Sequence, residues 1–278
     1  MKKLFVILPV LSLALTSCEQ DANVDVPEVD PMIVINCFIT PQDSIIRATI
    51  SLSQPVFSIS SNNGPVTDAT VTLYGNSSSV GLTYNQLTDS YEASATVFPI
   101  LAGNEYHIVV SVPSGLSADA YTTVPGATAN FNSSMVDTIT SQNSWGSEGE
   151  ARMSYSFSDP GGQQNFYYLV PYHVIWGQWN NDTVFRRAGW ELFSDENADG
   201  TTISRHFTSY YYSNNGDSVV AIDLYFLHGN YDYYSFHRSL ENYSGDNPFA
   251  EPSLTYSNVT NGLGIFAAAN GVKARHWR

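Results

Sequence analysis

Residues 105–112 read Glu105-Tyr106-His107-Ile108-Val109-Val110-Ser111-Val112. Tyr106, Ile108, Val110 and Val112 fall on one side of an extended chain, with Glu105, His107 and Ser111 opposite. A period of two marks a strand with one buried face, because successive side chains point to opposite sides. The same period recurs outward from this stretch. Ile33, Ile35, Cys37 and Ile39 carry it, and so do Ile46, Ala48, Ile50 and Leu52 with Arg47, Thr49 and Ser51 between them. Ala69, Val71 and Leu73 make a short run, and Tyr91, Ala93 and Ala95 a less regular one. Turn residues punctuate the series at Asn62-Asn63-Gly64-Pro65, Gly75-Asn76 and Ala102-Gly103-Asn104. Short alternating strands with such spacing predict an antiparallel β-sandwich over residues 31–125.

Val124-Pro125-Gly126 marks the expected boundary to a second β-rich domain over 126–278. Candidate strands there are 131–139, 152–158, 166–175, 183–192, 201–208 and 218–227, and the polar segment 141–150 reads as a loop. One short helix is expected after Asn230, which can cap it, with Asp232 favouring its first turn and Gly245 ending it. Tyr233, Phe236, His237 and Leu240 share one helical face, a pattern that reads as core. The expected fold class is all-β: a prealbumin-like or immunoglobulin-like sandwich, then a β-rich domain with one helix.

The chain begins with Lys2 and Lys3, an apolar stretch over 4–15, and then Leu15-Thr16-Ser17-Cys18. Basic start, apolar run and small residues in that order read as a secretory signal over 1–17. The run is shorter than the roughly 20 residues of a spanning helix. A cysteine at the cleavage position resembles the lipobox of bacterial lipoproteins. That resemblance implies cleavage before Cys18, diacylglycerol on its sulfur and a palmitate-type acyl chain on its amino group. Two or three chains on one residue anchor stably where a single chain binds marginally. The alternative is a simple signal peptide with an incidental cysteine. Residues 18–30 carry Asp21, Asp25, Glu28, Asp30 and Pro27 and read as an extended acidic tether. Glu19, Gln20 and Asp21 resemble the surface-export signal of Bacteroidota lipoproteins, which implies display on the outer face of the outer membrane.

The formal net charge is -15, and loss of Lys2 and Lys3 with the signal makes it -17 by side chains. That balance argues against nucleic acid, since phosphate neutralisation needs Lys and Arg. It also keeps the body off anionic lipid, leaving the anchor on Cys18 to hold the membrane. Lys273 is then the sole lysine. With Cys18 consumed by lipid, Cys37 stands alone, so an internal disulfide and a cysteine metal cluster are both excluded. Cys37 reads as a small buried hydrophobe, with a reactive thiol as the alternative. The chain has no G-x-S-x-G, H-E-x-x-H, Gly-rich phosphate loop or CxxC, and its six histidines show no metal-ligand spacing. The expectation is a protein without catalytic activity.

Three patterns carry candidate chemistry. Asp195-Glu196-Asn197-Ala198-Asp199-Gly200 matches the start of a calcium loop, with Asp195, Asn197 and Asp199 as oxygen ligands for Ca2+. Position 12 of that template is His206 rather than Glu, and the flanks read as strands, so an acidic turn remains the alternative. Tyr210, Tyr211 and Tyr212 are consecutive and cannot all face one core from a strand, so part of the run is expected to be exposed for a protein or glycan partner. Asp43-Ser44-Ile45, Asp137-Thr138-Ile139, Asp182-Thr183-Val184 and Asp217-Ser218-Val219 resemble the O-glycosylation acceptor pattern of Bacteroidota; turns leading into strands give the same letters.

Two segments carry a family resemblance. The first is Asn247-Pro248-Phe249, Pro252, Ser257-Asn258-Val259 and Asn261-Gly262-Leu263-Gly264-Ile265-Phe266. The second is Gly216-Asp217-Ser218-Val219 with its strand, followed by the tyrosine-rich segment 231–243. Together they resemble the Bacteroidota outer-membrane lipoprotein family called domain-of-unknown-function family four-two-four-nine. The resemblance covers nearly all of the mature chain. It implies an accessory surface subunit beside a TonB-dependent β-barrel transporter, handling peptide or glycan cargo. It brings no catalytic residues. A surface glycan-binding or glycan-cleaving lipoprotein, and a structural subunit of an envelope complex, are the alternatives. In the closing segment Gly262 and Gly264 are read as points of tight backbone approach, after which Ile265 and Phe266 return to the core.

Overall fold

The computed structural model describes residues 30–54, 64–143, 146–177, 181–214, 217–241 and 254–278. Cys18, the signal segment, the tether up to residue 29, Gly245 and Asn247-Pro248-Phe249 lie outside the described residues. The N-terminal strands are β1 (Ile33–Ile39), β2 (Ile45–Leu52), β3 (Thr70–Gly75), β4 (Ser78–Asn85), β5 (Ser90–Ser94), β6 (Glu105–Ser111) and β7 (Ser117–Thr123). Those that follow are β8 (Ala129–Asn143), β9 (Gly146–Ser158), β10 (Phe166–Gly177), β11 (Asp182–Arg187), β12 (Glu191–Ser194), β13 (Thr202–Asn214), β14 (Asp217–Gly229) and β15 (Gly262–Trp277). The helix α1 (Tyr231–Glu241) lies between β14 and β15. The fold is all-β with one short helix among the described residues.

Strand β6 alternates as its sequence requires, with Tyr106, Ile108 and Val110 buried. Twelve strands form one mixed sheet in the order β11-β10-β14-β15-β1-β2-β5-β4-β3-β6-β7, with β12 also paired to β10. The inner faces of β1, β2 and β5 share one core with those of β3, β6 and β7, so this part of the sheet closes over its own side chains. Strand β7 returns to the chain just ahead of β15, where Asp119 and Thr260 exchange two backbone hydrogen bonds (3.2 and 2.7 Å). Cys37 lies in this core, where burial first and then the charge of Asp43 push its thiol up to about 12. At neutral pH it is therefore a thiol and not a nucleophilic thiolate.

The second sheet, β13-β9-β8, covers the β10–β14–β15 part of the first. Ala151, Met153, Tyr155 and Phe157 of β9 meet Tyr167, Leu169, Ile222, Leu224 and Phe226 in that core. Helix α1 covers the opposite face, where Tyr168, Val170 and Tyr233 pack with Ile265, Ala267 and Ala269. Asn230 caps the helix, its side-chain oxygen accepting from the Tyr233 amide at 2.9 Å. Of the expected helical stripe, Tyr233 is buried and Leu240 is exposed.

Sequence reasoning missed β4, β7 and β15. The expected strand 183–192 is two strands, split at Ala188-Gly189-Trp190 where Gly189 has φ 126°. The expected loop 141–150 is instead the end of β8 and the start of β9. Its polar sequence shows no alternation of apolar and polar residues, and the segment is extended because β9 is hydrogen-bonded to β8 on one side and β13 on the other. Two clusters of buried side chains lie on either side of the expected boundary at Val124-Pro125-Gly126 in sequence, but Phe266 and Ala268 from beyond it join the first of them. One sheet also crosses it, since β15 pairs with β1 on one side and β14 on the other. The span Pro31–Arg278 is accordingly one unit.

Candidate functional site

Strand register builds a polar, largely buried site around Asp159, Asn165 and Asp195. Thr202 pairs with Ser158, which places Asp159 beside Thr201, and the Asp159 amide donates to the Thr201 carbonyl at 2.9 Å. Phe166 pairs with Ser194, which places Asn165 beside Asp195, and the Asp195 amide donates to the Asn165 carbonyl at 3.2 Å. The loops 159–165 and 195–201 are thereby laced together at both ends. Gly161 and Gly200 let them meet: a Cβ on Gly161 would stand 3.1 Å from the α-carbon of Gly200. Carboxylate oxygens of Asp159, Asp195 and Asp199 come within 4.8 Å of one another. Asp159 and Asp195 are buried, and Asp199 is exposed.

The surrounding groups fix these carboxylates. The Gly200 amide donates to Asp159 Oδ2 at 2.7 Å, and the Gly162 amide to Asp199 Oδ1 at 2.8 Å. Asn165 Nδ2 donates to Asp195 Oδ2 at 3.1 Å, and Tyr167 donates its phenol proton to Asp159 Oδ1. Burial and that bond push the Tyr167 phenol well above its ordinary pKa, so it remains a donor. Behind Asn165, His228 Nε2 lies 3.0 Å from Asn165 Oδ1 and Nδ1 lies 2.9 Å from the Gly126 carbonyl. Burial pulls the His228 pKa below its ordinary value, against the opposing pull of the Gly126 bond, Asp159 and Asp195. Hard oxygen donors gathered this closely suit Ca2+.

This group differs from the set expected from sequence. Asp195 and Asp199 belong to it, and Asn197, the third expected ligand, is exposed. The group also includes Asp159, which the D-x-N-x-D-G spacing could not find because strand pairing, not loop sequence, brings it there.

The tyrosine run follows the strand period. Tyr210 and Tyr212 are 75% and 50% exposed on the outward face of β13, while Tyr211 is 4% exposed. Tyr211 donates to Asp137 Oδ1 at 2.9 Å, and the Arg278 guanidinium lies 4.1 Å from its ring centroid. Its register partner is Gly149, where any Cβ would collide with the Tyr211 ring. Tyr211 is therefore a structural residue, and outward contact is left to Tyr210 and Tyr212. The four acceptor-like tripeptides place Ser44, Thr138 and Ser218 at exposed positions and Thr183 at a half-buried one. Among the described residues no helix is long and apolar enough to cross a membrane.

A comparison with curated proteins gave no match. Among solved structures, the chain is similar at 11% identity to the C-terminal globular domain of an oligosaccharyltransferase from Pyrococcus abyssi. The alignment covers 96% of this chain and 55% of that one, so this chain spans about half its length, and the TM-score of 0.16 carries no argument. The model of the family described as domain of unknown function DUF4249 matches residues 19–275, and the chain belongs to that family.

Proposed function

We propose that this DUF4249 member is a lipid-anchored protein displayed on the outer face of the outer membrane, where it serves without catalysis as an accessory subunit of a TonB-dependent β-barrel uptake complex. The supporting observation is the run Leu15-Thr16-Ser17-Cys18 behind a basic start and an apolar stretch, followed at once by Glu19 and Asp21. An acyl anchor and an acidic tether suit a body whose own charge keeps it off anionic lipid. Tyr210 and Tyr212 offer adjacent aromatic contacts on one outward strand face, the kind of anchor that partner surfaces favour. The test is affinity purification of the chain from native outer membranes. A stoichiometric β-barrel partner is expected, with much less of it retained by the Tyr210→Ala/Tyr212→Ala double variant. Recovery of the wild-type chain without any barrel would overturn the reading. As a second element of the proposal, Asp159, Asp195 and Asp199 hold a calcium ion that stiffens the two loops.

A further inference from the structure

A cleft of about 480 Å3 lies beside helix α1, on the face of the large sheet away from β8, β9 and β13. The volume is within the range of roughly 300–1,000 Å3 seen for small-molecule sites. Tyr168 and Tyr172 of β10 and Tyr225 of β14 form its floor. Phe185 and Arg187 of β11 make one wall and Tyr233 of α1 the other. Arg187 pairs with Tyr172 across the strands, which sets its guanidinium beside the floor. A second hollow of about 340 Å3 shares Tyr168 and Arg187 and adds Trp190 and Glu241, the latter paired with Arg238.

Three features define what this cleft would accept. Phe185 in the cleft is 51% exposed and Trp190 in the adjoining hollow 39%, which leaves aromatic surface for a ligand, although the Lys273 ammonium stands 6.0 Å from the Phe185 ring centroid. The hydroxyls of Tyr168, Tyr172 and Tyr233 have no hydrogen-bond partner among the described residues. No carboxylate among the described residues lines the larger cleft, although the whole chain carries a net charge of -15. Arg187 has no carboxylate within ion-pair distance among the described residues. Its closeness to the phenols shows in Tyr168 and Tyr233, whose pKa values burial raises and Arg187 opposes. Lys273, whose ammonium is 4.9 Å from the Tyr225 ring centroid, is already paired with Asp223 at 2.9 Å. Among the described residues, the uncommitted cation of the cleft is therefore Arg187. A planar guanidinium binds a carboxylate through two parallel hydrogen bonds. Open aromatic faces stack on a flat ring, and unpartnered phenols exchange hydrogen bonds with hydroxyl groups.

We propose that this cleft is a binding site for a sugar ring bearing a carboxylate, a uronic acid, with Arg187 on the carboxylate, Phe185 against the ring face, and the tyrosine hydroxyls on the sugar hydroxyls. The inference does not rest on the transporter reading, since binding to the isolated chain requires no barrel. Calorimetric titration of the full chain in detergent tests it, with digalacturonic acid, neutral galactobiose and N-acetylphenylalanine as probes. Digalacturonic acid is expected to bind saturably at millimolar concentration or below, and galactobiose about tenfold more weakly. Arg187→Gln is expected to weaken digalacturonate about tenfold while leaving galactobiose unchanged. Phe185→Ala is expected to weaken both sugars. Both side chains are exposed, so an unchanged melting temperature separates loss of binding from loss of fold. No saturable binding of digalacturonate, equal binding by Arg187→Gln, or tighter binding of N-acetylphenylalanine would each overturn the assignment.

Discussion

Asp199 is the exposed member of a carboxylate group whose other two members are buried. It accepts one backbone hydrogen bond, from Gly162, and so can be changed with little disturbance to the fold. That makes it the residue at which the calcium proposal is best tested. A ligand that binds the folded chain stabilises it by about 2.7 kcal/mol at one hundred times its dissociation constant. For a chain of this size the melting temperature should then rise by several degrees in millimolar calcium. Asp199→Asn should lose most of that rise while melting normally in chelator. A wild-type melting temperature indifferent to calcium would remove the site. The residue scale also shows how far a template carries. Asp195 and Asp199 stood out by their spacing to Gly200, whereas Asp159 is 36 positions before Asp195 in a loop of different composition. Only the β9–β13 and β10–β12 registers make it a neighbour. For the tyrosine run, alternation along β13 sets Tyr211 on the face opposite Tyr210 and Tyr212, while which face turns inward was decided by packing.

At the scale of elements, β15 organises the molecule. It is buried on both faces through its middle: Phe266 and Ala268 join the N-terminal core, and Ile265, Ala267 and Ala269 join the core under α1. Full burial of Phe266 and Ile265 contributes about 1.5–3 kcal/mol each. Its parallel pairing to β1 begins at Ile33 and Gly262, where a Cβ on Gly262 would come within 2.6 Å of the Ile33 carbonyl oxygen. Gly264 is tighter still, with φ 103° and no room for a Cβ beside the Ile35 carbonyl. The Asn258 side chain completes the entry, donating to the Phe266 carbonyl at 2.8 Å and accepting from its amide at 3.0 Å. Gly264→Ala should therefore cost about 3 kcal/mol or more, combining left-handed strain with displacement of β1. Gly81, in open space on β4, is the control, and Gly81→Ala should stay within about 0.5 kcal/mol. Equal urea midpoints for the two variants would mean that β15 does not depend on this close approach. The reading of Gly262 and Gly264 as points of tight approach holds. The strand itself was missed because a run buried on both faces, Ile265-Phe266-Ala267-Ala268-Ala269, has no period of two to detect.

Across the whole molecule, charge and anchorage form one argument. On the proposed processing the body would stand at -17 and have no electrostatic affinity for an anionic leaflet, so under that proposal membrane attachment falls to Cys18. Cys18→Ala should release a folded chain into the soluble fraction of a strain that lacks the barrel partner, with the same melting temperature as the anchored form. A variant that still sediments with membranes from that strain would place the attachment elsewhere. The large sheet adds a mechanical point. Because β15 ties β1 to β14, the N-terminal core and the aromatic cleft beside α1 share one hydrogen-bonded sheet rather than joining through a linker.

The sequence by itself determined the β class, the buried alternation of β1, β2 and β6 and the cap of α1. Each of these depends on side-chain period or on neighbours within a few residues. The tertiary structure decided the grouping of Asp159 with Asp195 and Asp199, the inward turn of Tyr211 onto Asp137 and Arg278, and the aromatic cleft around Arg187. Each of those joins side chains from strands far apart in the chain, and their meeting is fixed by register and sheet order, which no local pattern of residues encodes.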